Sequence, residues 1–306
     1  MKERITLICP HCGKLLEIPG DLEEFACLYC GKRTQTALVV QGTDTDYDVR
    51  RETLRKQLPL TVTRYPDYYK KIAKKDYFSA LECYEQENLE TLGLLELCAA
   101  TCPQGQEALL REAAKEVLDA LDAVMHSDSR WENARKRTYV LYERKVVLAL
   151  FLCVLADKMQ LECSSAFGVE LHEQWMARYP KEKWTPAQYK IIAEGFKRGR
   201  LCYITTAICR EQGKPDDCAE LTALRVFRDG YLRQSEGGEA LIERYYELAP
   251  GLLTCMDYCD DAAAVCALLR EEYLQPCLRA LEQGRQDDCR SGYIAMVDFL
   301  CSRYSM

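Results

Sequence analysis

Histidine is scarce in this chain, with three among 306 residues (His11, His126 and His172), which restricts any acid–base or metal chemistry that relies on imidazole. Excess positive charge is also missing, since 41 Lys and Arg stand against 48 Asp and Glu for a formal charge of −7. A general phosphate-backbone binder concentrates positive charge, so that class is disfavoured. No Gly-rich phosphate loop, serine-nucleophile elbow or His-Glu-x-x-His run occurs, leaving no positive evidence for nucleotide hydrolysis or zinc proteolysis. The most apolar run, residues 146–156, is bounded by Arg144, Lys145, Asp157 and Lys158. It falls short of the roughly 20 residues a membrane span needs and predicts a buried core helix. The opening residues show no apolar stretch followed by a cleavage site, so the expectation is a cytoplasmic protein without a membrane partner.

Cysteine, by contrast, is abundant at eighteen. Four of the eighteen are paired in a way that carries chemistry. Cys9-Pro-His-Cys12-Gly13 and Cys27-Leu-Tyr-Cys30-Gly31 are two C-x2-C knuckles separated by 14 residues. Two-residue spacing lets both thiolates of a knuckle reach one ion, and the glycines permit the tight backbone that follows. Cys9, Cys12, Cys27 and Cys30 therefore predict one tetrahedral Zn²⁺ whose shell is closed, making the metal structural. His11, inside the first knuckle, is a weaker competitor for the site. Apolar alternation at 5–10 and 34–40, with a Pro-Gly turn between the knuckles, makes residues 1–40 a small β zinc ribbon. Its five basic and five acidic side chains balance, which favours docking to protein over nucleic acid.

Residues 41–65 are polar and weakly periodic and predict a linker. Beyond them apolar residues recur three and four apart, strongly at 76–100 and 107–125, so the body is α-helical. Ser129 with Glu132 has capping-box spacing, and Thr185-Pro186 with Gln188 predicts another helix start. A further helix is expected after 214–217, running to about Gln234, with punctuation at Pro250-Gly251, Gln283-Gly284 and Ser291-Gly292. Asp-Asp-Cys recurs at 216–218 and 287–289 on unmatched flanks, so no repeat is assigned.

The segment 202–250 reads Cys202-Tyr-Ile-Thr-Thr-Ala, then Lys214-Pro-Asp-Asp, Leu224-Arg-Val-Phe-Arg-Asp229, Tyr245-Tyr246 and Ala249-Pro250. It resembles the CFI-box C-terminal domain of bacterial proteins, whose pattern is Cys-Phe-Ile-x-Thr-Ala, Leu-x-x-Phe-Arg-Asp, Tyr-Tyr and a nearby proline. With the ribbon and helical middle in the same order, the resemblance spans most of the chain. It implies an intracellular bacterial protein with a shared helical fold, and nothing about substrate. Tyr203 departs from the usual phenylalanine, and Ile208-Cys209 from the Tyr-Gly that often follows.

Two roles are open for Cys202. As a nucleophile it precedes a helix whose first-turn amides lower a thiol pKa, with Thr205, Thr206 and Arg200 nearby and His172 as the one sensible base. As a core residue it shares an apolar face with Tyr203, Ile204, Ala207, Ile208 and Cys209, and this is the favoured expectation. Arg225 and Asp229, four apart, are expected to pair, with anion binding by Arg225 and Arg228 the minor alternative. Cys98 with Cys102, and Cys255 with Cys259 and Cys266, read as core thiols. The stretch 130–145 interleaves Arg, Lys, Trp and Tyr as a nucleic-acid groove would, and equally as a solvated helix face.

The expected architecture is mainly α: a zinc ribbon (1–40), a linker (41–65), a helical domain (66–200) and a helical CFI-box-like domain (201–306). The leading expectation is a non-enzymatic interaction or regulatory protein with a protein partner. A thiol peptidase or acyl transferase using Cys202 and His172 is the rival. A nucleic-acid-associated factor using the ribbon and the 130–145 helix is the third.

Overall fold

A computed structural model of the chain describes residues 4–11, 14–36, 39, 46–197 and 203–304. The chain divides into two compact units, one formed by 1–66, 80–182 and 186–189, the other by 67–79, 183–185 and 190–306. The fold is mainly α with a small β element at the N-terminus.

That β element is two hairpins. β1 (Arg4–Ile8) runs antiparallel to β2 (Leu15–Pro19), with Leu7 opposite Leu16 and Ile5 opposite Ile18. β3 (Glu24–Ala26) pairs with β4 (Arg33–Gln35), placing Phe25 opposite Thr34. Period-2 alternation turns Leu7, Leu16, Ile18 and Phe25 onto one face, where they form a separate small core with Cys9, Cys27 and Val39. The expected strand over 34–40 is shorter than its apolar composition suggested, with β4 ending at Gln35.

The described part of the segment expected to be a linker is helical. Asp46 caps α1 (Tyr47–Gln57) by accepting the Asp48 amide, and a short α2 (Leu60–Thr63) follows. Leu54, Leu58 and Val62, four apart, are each at most 1% exposed, a helical stripe hidden in the sequence by the charged residues between them. Long helices then build the unit: α3 (Tyr77–Thr101), α4 (Gln106–Ser127), α5 (Ala134–Val147), a π segment (Leu148–Leu152), α6 (Cys153–Lys158) and α7 (Glu162–Arg178). Residues 146–156 are all buried, as their apolar run predicts. Among the described residues no helix is long and apolar enough to cross a membrane.

Helix starts differ from their sequence signals where tertiary contacts intervene. The cap of α5 is Asn133, which accepts the amides of Arg135 and Lys136, while Ser129 lies in the preceding turn. Asp128 is occupied in that turn by Arg130, which also makes a two-pronged contact of 2.6 and 2.8 Å to the buried Glu143. The next helix, α8 (Tyr189–Lys197), begins four residues beyond Thr185, whose amide bonds the Tyr258 carbonyl. Trp184 and Ala187 are each 2% exposed, so burial keeps this stretch out of the helix where Thr185-Pro186 signals a cap.

The rest of the second unit is α9 (Tyr203–Glu211), α10 (Ala219–Phe227), a π segment (Arg228–Leu232), α11 (Gly238–Cys259), α12 (Ala262–Leu269), a π segment (Arg270–Leu274), α13 (Gln275–Glu282) and α14 (Gln286–Arg303). Two of the three expected breaks are not breaks. Pro250 and Gly251 are buried inside α11, where packing of a long helix offsets the missing amide. Gly292 lies within α14, where the space is taken by Cys277, whose Sγ would stand 2.8 Å from a Cβ. Of the three, Gly284 alone, at φ +71°, follows a helix end.

The turn before α5 carries a pH prediction. Hydrogen bonding from the Arg130 side chain lowers the Asp128 carboxyl from 3.8 to about 2. A depressed carboxylate adds stability that is complete above its unfolded pKa and lost as pH falls through the folded one. The melting-temperature gap between the native chain and Asp128→Asn is expected to shrink between pH 5 and pH 2. An equal gap at both ends would remove this assignment.

Candidate metal centre and C-terminal box

Cys9, at the end of β1, and Cys27 and Cys30, in the turn between β3 and β4, bring their three sulfurs within 4.8 Å of one another. Cys9 Sγ and Cys30 Sγ are 3.9 Å apart. Backbone geometry builds both turns: the Cys9 amide donates to the Lys14 carbonyl and the Cys27 amide to Lys32, each at 2.9 Å, while the Gly31 amide returns to Cys27. Gly31, at φ +71°, supplies the left-handed residue that closes the second turn.

Burial opposes ionisation of Cys27, but the Cys30 and Tyr29 amides and the Cys9 and Cys30 thiols outweigh it, bringing the thiol from 9.0 to about 7. The Tyr29 amide lies 3.4 Å from Cys27 Sγ. A cluster of soft sulfur donors, pre-formed for the thiolate, can hold a metal ion. Cys12 and Gly13 lie outside the described residues, and His11 stands outside the sulfur group.

The surface around this centre is unusual for so small an element. Leu28 is 91% and Tyr29 66% exposed, between the two cysteines of the second knuckle. Three of the cations nearby are matched by carboxylates, Lys32 with Glu162, Arg4 with Glu17 and Arg33 with Glu24, while the exposed Lys14 has no ion pair among the described residues. The sequence shows two bulky apolar residues inside Cys-Leu-Tyr-Cys, and the hairpin turn is what drives them into solvent.

In the second unit residues of the 202–250 segment meet near the start of α9. The Ile204 amide donates to Tyr245 Oη at 2.9 Å, and the Tyr203 ring lies 6.5 and 6.2 Å from those of Tyr245 and Tyr246. Arg228 grips Asp229 through Nε and Nη2 at 2.9 and 2.6 Å and donates from Nη1 to Tyr246 Oη. Arg225 reaches Asp216 at 2.9 Å, whereas Asp229 is held by Arg228 and Arg233. The expected Arg225–Asp229 pair is replaced because the π segment opens at Arg228 and widens that turn.

Cys202 and Arg200 lie outside the described residues. His172, the proposed base, is half-buried on α7. Cys209 behaves as the core thiol expected: it packs with Leu221, and burial followed by contact with Cys218 pushes it up to about 12. Cys98, Cys255, Cys259 and Cys266 are also buried, and burial raises Cys98 and Cys266 to about 11. Cys102 instead accepts the Tyr47 hydroxyl at 3.2 Å.

The 130–145 stretch divides into two parts. Arg135 and Lys136 face solvent, whereas Arg144 and Lys145 are each 5% exposed. Lys145 pairs with Glu182 and Arg137 covers the Trp131 ring at 5.1 Å. Comparison with known protein families, with curated proteins and with solved structures gives no match.

Proposed function

We propose that this chain is a non-enzymatic, cytoplasmic interaction protein of CFI-box type, with an N-terminal ribbon that docks a protein partner. One structural Zn²⁺ held by Cys9, Cys12, Cys27 and Cys30 would stabilise the ribbon, and the donor chemistry supports this choice, since four thiolates favour zinc in a closed tetrahedral shell. The observation that carries the docking role is the exposed Leu28–Tyr29 pair at the knuckle tip. Aromatic and apolar side chains at the centre of a patch are what protein interfaces use, whereas a phosphate-binding ribbon needs unpaired cations. Here Arg4, Lys32 and Arg33 have acidic neighbours, which leaves Lys14 as the one unpaired cation among the ribbon's described residues, too few for a phosphate track.

The test is affinity capture from the source cells with the native chain and with Leu28→Ala/Tyr29→Ala, with and without nuclease. A discrete, nuclease-resistant protein retained at fixed stoichiometry, and weakened about 30-fold by the double substitution, is the expected result. Equal retention by both chains, or capture of nucleic acid that falls steeply with salt, would sink the proposal.

A further inference from the structure

The second unit contains a cavity of about 50 Å³ enclosed by faces of α10 with its π segment, α11 and α14. Its walls are apolar, with Phe227, Leu232, Ile242 and Val297 each at most 8% exposed. A water needs roughly 10–15 Å³ of such space, so this cavity suits a short chain of carbons better than a bulky cofactor. The wall is fixed by a close approach: a Cβ on Gly238 would fall 1.7 Å from the Leu232 carbonyl oxygen, which only glycine permits.

The polar lining is unequal in sign. Arg228, Arg244 and Arg290 face the cavity against one carboxylate, Asp298. Arg228 is committed to Asp229 and Tyr246, and Arg244 approaches Asp298 at 3.4 Å. Arg290 has no carboxylate within ion-pair distance among the described residues. Its Nη2 donates to the Glu236 carbonyl at 2.9 Å, and its buried Nε donates to no protein group. A guanidinium beside an apolar cavity, with donors left over, complements a carboxylate whose body is aliphatic.

We propose that this cavity binds a small monocarboxylate, its aliphatic chain among Phe227, Leu232, Ile242 and Val297 and its carboxylate on Arg290. The site is independent of the metal centre and of the knuckle, so either proposal can fail alone.

The probe is sodium propionate titrated into the full chain by calorimetry, with 1-propanol as the neutral comparator, a two-carbon tail being what about 50 Å³ admits. Saturable one-site binding of propionate is expected, with propanol at least about tenfold weaker. Arg290→Gln is expected to weaken propionate roughly tenfold and leave propanol unchanged. Val297→Trp, which fills the cavity, is expected to abolish propionate binding. Should Arg290→Gln not fold, Arg290→Lys keeps the charge without the fork and is expected to give a smaller loss. The propionate-to-propanol ratio of the native chain then decides. Absence of saturation, equal affinity for both probes, or unchanged propionate binding in Val297→Trp would overturn the proposal.

Discussion

Stripping the metal from the native chain is expected to unfold residues 4–36 as a unit while the helices keep their structure. The small core of the ribbon is made by its own residues, and two of its seven buried members are Cys9 and Cys27. Four strands of three to five residues and that core fall well below what a segment of fewer than about 40 residues needs to fold alone. Structural zinc in such elements supplies on the order of 10–16 kcal/mol, so metal binding and folding are one event. Among the described residues the ion pair between the ribbon and α7 is Lys32–Glu162, whose side chains are 46% and 72% exposed, and exposed pairs transmit little energy. Hydrogen exchange read by mass spectrometry checks this directly. Addition of a chelator should release one zinc per chain and abolish protection of the Cys9, Cys27 and Tyr29 amides, with α3 to α7 unchanged. Cys9→Ser, which replaces a buried thiolate donor, should give the same exchange pattern without chelator. Protection that survives metal removal would show that the sulfur cluster is not the stabilising element, and co-purified iron would replace zinc in the assignment.

The grouping of Cys9, Cys27 and Cys30 was legible because its signal is local: two cysteines with two residues between them share a turn, whatever the rest of the chain does. The buried run 146–156 was legible for a related reason, since so apolar a segment has nowhere else to go. What escaped the sequence depends on partners far along the chain. Ser129 and Glu132 carry the spacing of a cap, yet Asp128, Arg130 and Glu143 lock that turn and hand the cap to Asn133. Pro250-Gly251 reads as a break until the burial of both residues in α11 is known. The three π segments leave no local pattern, and one of them changes the partner of Asp229. The exposed Leu28 and Tyr29 follow from the direction of a hairpin turn, which residue spacing does not encode.

Glu96 is the clearest such case, and Glu96→Ala is expected to cost about 3–5 kcal/mol of stability. Glu96 lies within α3 and is 1% exposed. Its two carboxylate oxygens accept the Ser164 amide at 2.8 Å and the Cys163 amide at 3.2 Å. Those amides open α7, whose own N-cap position, Leu161, offers no side-chain acceptor. A carboxylate from 67 residues earlier therefore does the work of a cap. It satisfies two orphan donors and meets the positive end of the helix dipole. Alanine leaves both amides buried without acceptors and opens a void, whereas Glu96→Gln keeps the shape and one acceptor at a cost of about 1–2 kcal/mol. Denaturant unfolding of the three chains gives the order native, Gln, Ala. A second readout is local: burial, then the nearby Glu96 charge, pushes the Cys163 thiol up to about 12. In Glu96→Ala that thiol loses the repulsion and its helix start loosens, so alkylation of Cys163 is expected to accelerate while that of Cys153, equally buried but not in contact with Glu96, does not. Substitutions that each cost less than about 0.5 kcal/mol, with Cys163 still inert, would mean that α7 is held by its packing on α4 and that the carboxylate contributes nothing to its start.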